Sequence, residues 1–238
     1  MVDRLDNSTM ARILARAQVI LPGAAGRSAG RKLYRRRKRH AMARFQQIAA
    51  TLTPDDHVLD LGANVGEMTL QLVKTGATVH AYEPDPDVFA DLQKNLQDVP
   101  NVRLYPEAVA AEAGTLDFFR ASEKLIVDRD VRRQSASLLR ASHHVAEGEM
   151  LHVPVIAFDT AIARAGGHVR LVKMDIEGAE TGILSHLFPV GGQNTAVGFD
   201  HLFVETHERL FPDHQLEIER LRVLAEAMDH PEVNLYWP

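Results

Sequence analysis

The stretch VLDLGANVGEMTL, residues 58–70, decides the fold. HVLDL (57–61) is an apolar run of strand length, Gly62 and Gly66 interrupt the pattern, and residues 65–75 continue with helical spacing. Where a strand passes through a glycine turn into a helix, a ligand can approach the backbone closely, because glycine has no Cβ to hold it off. The spacing is G-x-x-x-G and not the G-x-G-x-x-G of dinucleotide binders. By itself such a turn serves a purely structural role just as readily. Glu83 adds a second feature. It ends the next apolar run, TVHAYE (78–83), 21 positions after Gly62, about where an acidic side chain reaches ribose hydroxyls in this architecture.

On both sides of this stretch the chain alternates. Residues 41 to about 53 carry Met42, Phe45, Ile48 and Leu52 at helical spacing and lead into the turn Thr53-Pro54-Asp55-Asp56. Residues 86–97 place Phe89, Leu92 and Leu96 on one side of a second helix, and VRLYP (102–106) reads as a third strand. Further on come RLVKMD (170–175) as a strand, 178–188 as a helix, HLFVE (201–205) as a strand, 214–228 as an amphipathic helix and VNLYW (233–237) as a last strand. This rhythm predicts an α/β fold of the doubly wound, Rossmann-like kind: a mostly parallel sheet with helices on both faces. Between 115 and 158 the rhythm breaks. LDFF and HVPVIAF look extended, and the polar stretch 120–149 between them fits a long loop or lid. The expected organisation is a basic, partly helical extension over 1–40 and a main domain over 41–238.

Composition narrows the function. A 238-residue chain with 45% hydrophobic and 25% charged residues suits one α/β domain with an appendage, and no apolar run is long enough to span a bilayer. Cysteine is absent, which excludes disulfides, thiolate nucleophiles and cysteine-ligated metal clusters. The N-terminus makes a poor secretory signal, because Arg16 and Gln18 interrupt its apolar stretch, so a cytoplasmic location is expected, with peripheral contact at a membrane surface as an option. Charge is uneven: residues 1–50 hold 12 Lys/Arg against 2 Asp/Glu, although the whole chain carries −5. RKLYRRRKRH (31–40) concentrates that charge at Arg31, Lys32, Arg35, Arg36, Arg37, Lys38 and Arg39. Such a tract attracts nucleic-acid phosphates or anionic lipid head groups, or else forms a helix face that is solvated or paired with the acidic body. Ahead of it, Ser8 is placed to cap a short helix with Met10, Ile13, Leu14 and Ile20 on a ragged apolar side, ended by Pro22-Gly23.

Glu67 enters the first turn of the helix after Gly66. A pyrophosphate favours a helix N-terminus free of acid, so a ligand with an ammonium and a sulfonium suits this turn better than a nicotinamide dinucleotide. That points to S-adenosylmethionine. Asp60, within the first strand, is expected near the ammonium or as a capping acid of the turn.

The segments LDLGANVG, YEPDP, LVKMDIEGAE and FVETH together resemble the FkbM family of S-adenosylmethionine-dependent methyltransferases over roughly 57–207. KMDIEGAE joined to VETH is the most specific part; the glycine turn and EPDP are shared widely among methyltransferases. The resemblance implies a class I methyltransferase domain and methylation of a hydroxyl oxygen on a small molecule, sugar or glycan. It also implies that Asp60, Gly62, Ala63, Asn64, Gly66, Glu83, Pro84 and Asp175 surround the cofactor. EAVAAEAGTLDF (107–118) is similar to the family's segment beside the adenine, which puts Glu107 and Ala108 there. QSASLL (134–139) resembles a serine-containing segment, so Ser135 or Ser137 is expected to help close the pocket. The basic first 50 residues lie outside the resemblance.

In open α/β sheets the ligand crevice lies beyond the carboxyl ends of the strands, and Asp175 and Glu205 fall there. On extended backbone Lys173 shares a face with Asp175, and Glu205 with His207. Asp175 or His207 is the expected general base, with Glu205 orienting the imidazole or binding a sugar hydroxyl and Lys173 as the partner of Asp175. Glu177 and Glu180 read as first-turn acids favoured by the helix dipole, about 0.3–1 kcal/mol each. A divalent cation such as Mg²⁺ on Asp175, Glu205 and His207 is a less favoured route to the same chemistry. Three rival readings stand: an RNA methyltransferase guided by the basic tract, a catalytically silent cofactor-binding protein, and a nicotinamide oxidoreductase, which the glycine spacing disfavours.

Overall fold

The computed structural model describes residues 3–120, 149–191, 198–208 and 211–237. Its first two elements are helices α1 (Thr9–Ile20) and α2 (Gly23–Ala49). Ser8 caps α1, its Oγ accepting the Ala11 N–H at 3.2 Å, and Pro22 separates the helices as expected. The expected boundary between residues 40 and 41 is corrected: it falls inside α2, which carries the basic tract and the apolar segment as one 27-residue rod. Nothing between 31 and 49 breaks a helix, and Leu33, Ala41, Phe45 and Ile48 are buried along its length.

The alternating elements follow: β1 (His57–Leu61), α3 (Glu67–Val73), β2 (Thr78–Tyr82), α4 (Pro86–Leu96) and β3 (Val102–Tyr105). After them come β4 (Ala108–Ala110), β5 (Gly114–Arg120), β6 (Glu149–Ala157), α5 (Phe158–Arg164), β7 (Val169–Met174), α6 (Glu180–Leu187) and β8 (Phe199–Val204). A 3₁₀ turn (Pro212–His214), α7 (Gln215–Ala227) and β9 (Glu232–Asn234) complete the order. The main sheet runs β3-β2-β1-β7-β8-β9, and every pairing in it is parallel. A small sheet, β4-β6-β5, flanks it. The expected lid at 120–149, with Ser135 and Ser137, joins β5 to β6 and otherwise lies outside the described residues.

Period-2 alternation along the strands supplies both cores. Val58, Val79, Leu171 and Phe203 face α2, α3 and α4 through Phe45, Ile48, Leu72 and Leu92. Leu59, Val172, Leu202 and Val204 face α5, α6 and α7 through Phe158, Ile183, Leu184, Ile218 and Leu221. α2 is thus one of the helices that cover the sheet and not an appendage to it. At the chain's end β9 lies parallel to β8, with α7 as the crossover, in place of the antiparallel hairpin common in methyltransferases. Among the described residues no helix is long and apolar enough to cross a membrane.

Candidate functional site

The strand order reverses between β1 and β7, which places a crevice beyond their carboxyl ends. A cavity of about 720 Å³ opens there, within the range of small-ligand sites. Gly62, Ala63, Asn64, Val65, Glu67 and Met68 form one wall after β1; Asp175, Glu177, Glu205 and His207 form the other after β7 and β8.

The first wall is fixed by backbone contact. Gly62 has φ +76°, and a Cβ there would lie 1.8 Å from the Asp175 carbonyl oxygen, so no other residue fits. Its N–H and that of Ala63 both donate to the Tyr82 carbonyl, tying the turn to β2. Glu83 follows β2, buried, and accepts the N–H groups of Asn64 and Asp85, each at 3.0 Å. Burial pushes its carboxyl up to about 7 despite those two donors. Pro84 separates Glu83 from Asp85, which caps α4 through the N–H groups of Asp87 and Val88. Gly66, at φ +92°, enters α3 against Leu92 and Leu96 of α4.

Beneath the turn lies a buried ion pair. Lys173 Nζ sits 3.3 Å from Asp60 Oδ1 and 3.9 Å from Asp175 Oδ2, and donates to the Gly62 carbonyl at 2.7 Å. Thr69 Oγ1 donates to the other Asp60 oxygen at 2.6 Å. Asp60 is therefore engaged from below, buried beneath the turn; a fully buried carboxylate is stable only with such partners. Lys173 braces the turn and both acids, and its charge, raised in pKa by Asp60 and Asp175 against burial, is committed to them.

The second wall concentrates charge around one imidazole. His207 Nδ1 lies 2.6 Å from Glu180 Oε1, while Nε2 faces Glu177 at 3.4 Å and Asp175 at 3.8 Å. Burial lowers its pKa, but these acids outweigh it and raise it to about 9, so His207 is an imidazolium at neutral pH. The acid that meets the imidazole is Glu180, and not Glu205 as expected; in its protonated form His207 has no lone pair with which to act as base. Glu180 keeps a capping role as well, accepting the Gly178 N–H at 2.8 Å. Glu177 lies outside the helix at φ +54°, in the left-handed region, and burial raises its carboxyl to about 7. Burial also raises Asp175, with Lys173 opposing. Its Oδ1 is buried and has no hydrogen-bond donor among the described residues.

Glu205 pairs with Lys38 of the basic tract at 3.0 Å, and Met42, one turn further along α2, lines the cavity with Trp237. The basic segment thus reaches the site, which nothing in its composition foretold. Glu107 instead pairs with Arg164, and Ala108 is buried in the small sheet's core; both lie away from this cavity, since the chain turns into β4 at that point. Asp175, Glu205 and His207 offer ligand atoms all within 4.8 Å of one another.

A doubly wound parallel sheet with a glycine turn after β1 and an acid after β2 has the architecture of a class I methyltransferase domain. Residues 60–234 match the methyltransferase FkbM domain, and the chain belongs to that family. It is 25% identical over 197 residues to the 2-O-methyltransferase NoeI of Sinorhizobium fredii, with 77% of each chain covered. It is 50% identical over 56 residues to the ribosomal RNA small subunit methyltransferase A of Thermotoga maritima, a match that spans 24% of this chain and only a fifth (20%) of that protein's length. Among solved structures, the 23S rRNA methyltransferase ErmE shares 34% identity over 25% of each chain, with a TM-score of 0.23.

Proposed function

We propose that this chain is an S-adenosylmethionine-dependent O-methyltransferase whose acceptor is a hydroxyl on a small molecule, sugar or glycan. The observation that carries the reading is Asp175: a carboxylate on the crevice wall beside the glycine turn, with 30% of its side chain exposed. An acceptor hydroxyl can donate to its exposed part. The family, and the similarity over 77% of each chain to a 2-O-methyltransferase, support the same chemistry.

The cofactor fits the residues present. Gly62 to Asn64 offer open backbone and Glu67 on the wall suits a cationic ligand better than a pyrophosphate. Glu83 stands after β2 at the position of a ribose-binding acid and, buried, holds the Asn64 and Asp85 N–H groups of the turn. When bound, it supplies an electrophilic methyl group on sulfur: the acceptor oxygen forms a C–O bond as the C–S bond breaks. Asp175 takes the hydroxyl proton as that oxygen attacks, which contributes roughly 10²–10⁴-fold. Lys173 positions Asp175, and the imidazolium of His207, held by Glu180, offsets the crowded acids. Met42 and Trp237 wall the crevice against water. A metal ion on Asp175, Glu205 and His207 would have to displace a proton from His207 and the Lys38 ammonium from Glu205, so activity is expected to survive chelator.

Labelled methyl transfer to a panel of sugars and other hydroxylated acceptors, with ribosomal RNA alongside, tests this reading. It expects a labelled methyl ether of a hydroxylated acceptor, lost in Asp175→Asn. Transfer to RNA alone, or transfer indifferent to Asp175, overturns it.

A further inference from the structure

Between Asp6 and Asp55 the chain contains no acid and 11 Lys/Arg. The structure sorts these cations into two groups. Arg36, Arg37, Lys38 and Arg44, on the half of α2 that covers the sheet, pair with Asp6, Glu226, Glu205 and Glu232. Arg12, Arg16, Arg27, Arg31, Lys32, Arg35 and Arg39 are exposed and form no ion pair among the described residues. Arg16, Arg27 and Arg31 lie nearest the α1–α2 turn along the chain, and the others run back along the two helices.

That turn is also the most apolar exposed point of the described surface. Val19 is 84% exposed and Ile20 73%, followed by exposed Leu21 and Pro22. Met10, Ile13 and Ile20 share one face of α1 and are exposed too. The hairpin is built to hold this tip out rigidly. A Cβ at Gly26 would lie 2.2 Å from the Leu21 carbonyl oxygen, so the helices close to backbone contact. At the far end, Arg36 holds Asp6 at 2.6 Å and Arg4 Nη2 donates to the Glu226 carbonyl of α7 at 2.9 Å.

We propose that the α1–α2 hairpin docks on an anionic lipid bilayer, with Val19, Ile20 and Leu21 entering the head-group boundary and the unpaired cations meeting lipid phosphates. Charge complementarity requires an anionic surface, and the apolar tip selects lipid over RNA, whose backbone offers Val19 and Ile20 no apolar partner. Neither signal alone anchors a protein well; together they do. The arrangement has a consequence for the crevice. Met42 lies 19 residues along α2 from Gly23, so docking holds the crevice about 30 Å from the head groups at 1.5 Å per residue. The inference stands whether or not the acceptor is a hydroxyl.

Flotation of the 238-residue chain with phosphatidylcholine vesicles, with and without phosphatidylglycerol, tests it. Binding is expected only to the anionic vesicles and to weaken about fivefold for each of Arg27 and Arg31 changed to Ala. Val19→Asp/Ile20→Asp should abolish it while thermal melting and S-adenosylhomocysteine binding stay unchanged, since both side chains are exposed. Three results overturn the proposal: no vesicle binding by the folded protein, vesicle binding that ignores the tip substitutions, or a dimer in sedimentation that Val19→Asp/Ile20→Asp splits. Binding of RNA without vesicles counts against it equally.

Discussion

The two walls of the crevice are held by different physics. After β1 and β2 the acids have fixed partners: Glu83 takes two backbone N–H groups, and Asp60 takes Lys173 and Thr69. After β7 and β8, Asp175, Glu177 and Glu180 share the one imidazolium of His207, while Glu205 depends on a lysine from a helix far earlier in the chain. The first wall is set by close backbone approach and presents one shape. The second is set by charge, so its protonation answers to pH, salt and whatever acceptor enters. A site that reuses one cofactor for a particular acceptor needs that division.

Substitutions on each wall should differ in kind. Gly62→Ala is expected to have the largest effect: with φ +76° and Asp175 backbone in the way, it should cost more than about 3 kcal/mol in denaturant unfolding and abolish S-adenosylhomocysteine binding. Asp175→Asn should lower kcat by roughly 10²–10⁴-fold yet leave cofactor affinity within a few-fold, a split that steady-state kinetics and calorimetry would separate.

The pH response comes next in size. His207 has a folded pKa of about 9, above its ordinary 6.5, so the stability it contributes is present below about 6.5 and lost as pH rises through 9. Glu177 and Glu83, raised to about 7 from 4.5, act in the same direction: their contribution is lost as pH rises from about 4.5 through 7. His80, lowered to about 4, opposes them only below 6.5. The melting temperature should therefore fall between about pH 6.5 and 9. In Glu180→Gln the imidazole resonances of His207 should titrate nearer 6.5, and the alkaline part of that fall should shrink; an unchanged titration would remove Glu180 from its place as the orienting acid. Lys38→Ala should have the smallest effect, under about 1 kcal/mol in stability with a few-fold, salt-sensitive change in acceptor KM.

The same division decides what the sequence could disclose. Gly62, Gly66 and Glu83 are legible because a turn, a helix start and a strand end fix their spacing within one βαβ unit. The alternation likewise yields the parallel sheet, and Ser8 and Pro22-Gly23 mark the helix ends where they occur. His207 with Glu180 was not legible: first-turn acids are common on helices, and only the fold brings α6 and the end of β8 together. Lys38 was hidden for a related reason. A basic tract reads equally as solvated, paired with the acidic body or facing an anionic partner, and its inward rank shows only once Tyr34 and Arg37 meet Tyr236, with rings 6.0 Å apart and the guanidinium 4.8 Å above the ring. The parallel β9 also escaped, since three strand residues after a helix carry no mark of direction.

Calorimetric titration with S-adenosylhomocysteine, on the intact protein and on Glu83→Ala with NAD as control ligand, tests the central claim most directly. The account predicts binding to the intact protein, about 10–100-fold weaker binding to the variant, and none of NAD. A folded protein that ignores S-adenosylhomocysteine, or binds it equally without Glu83, would contradict the account.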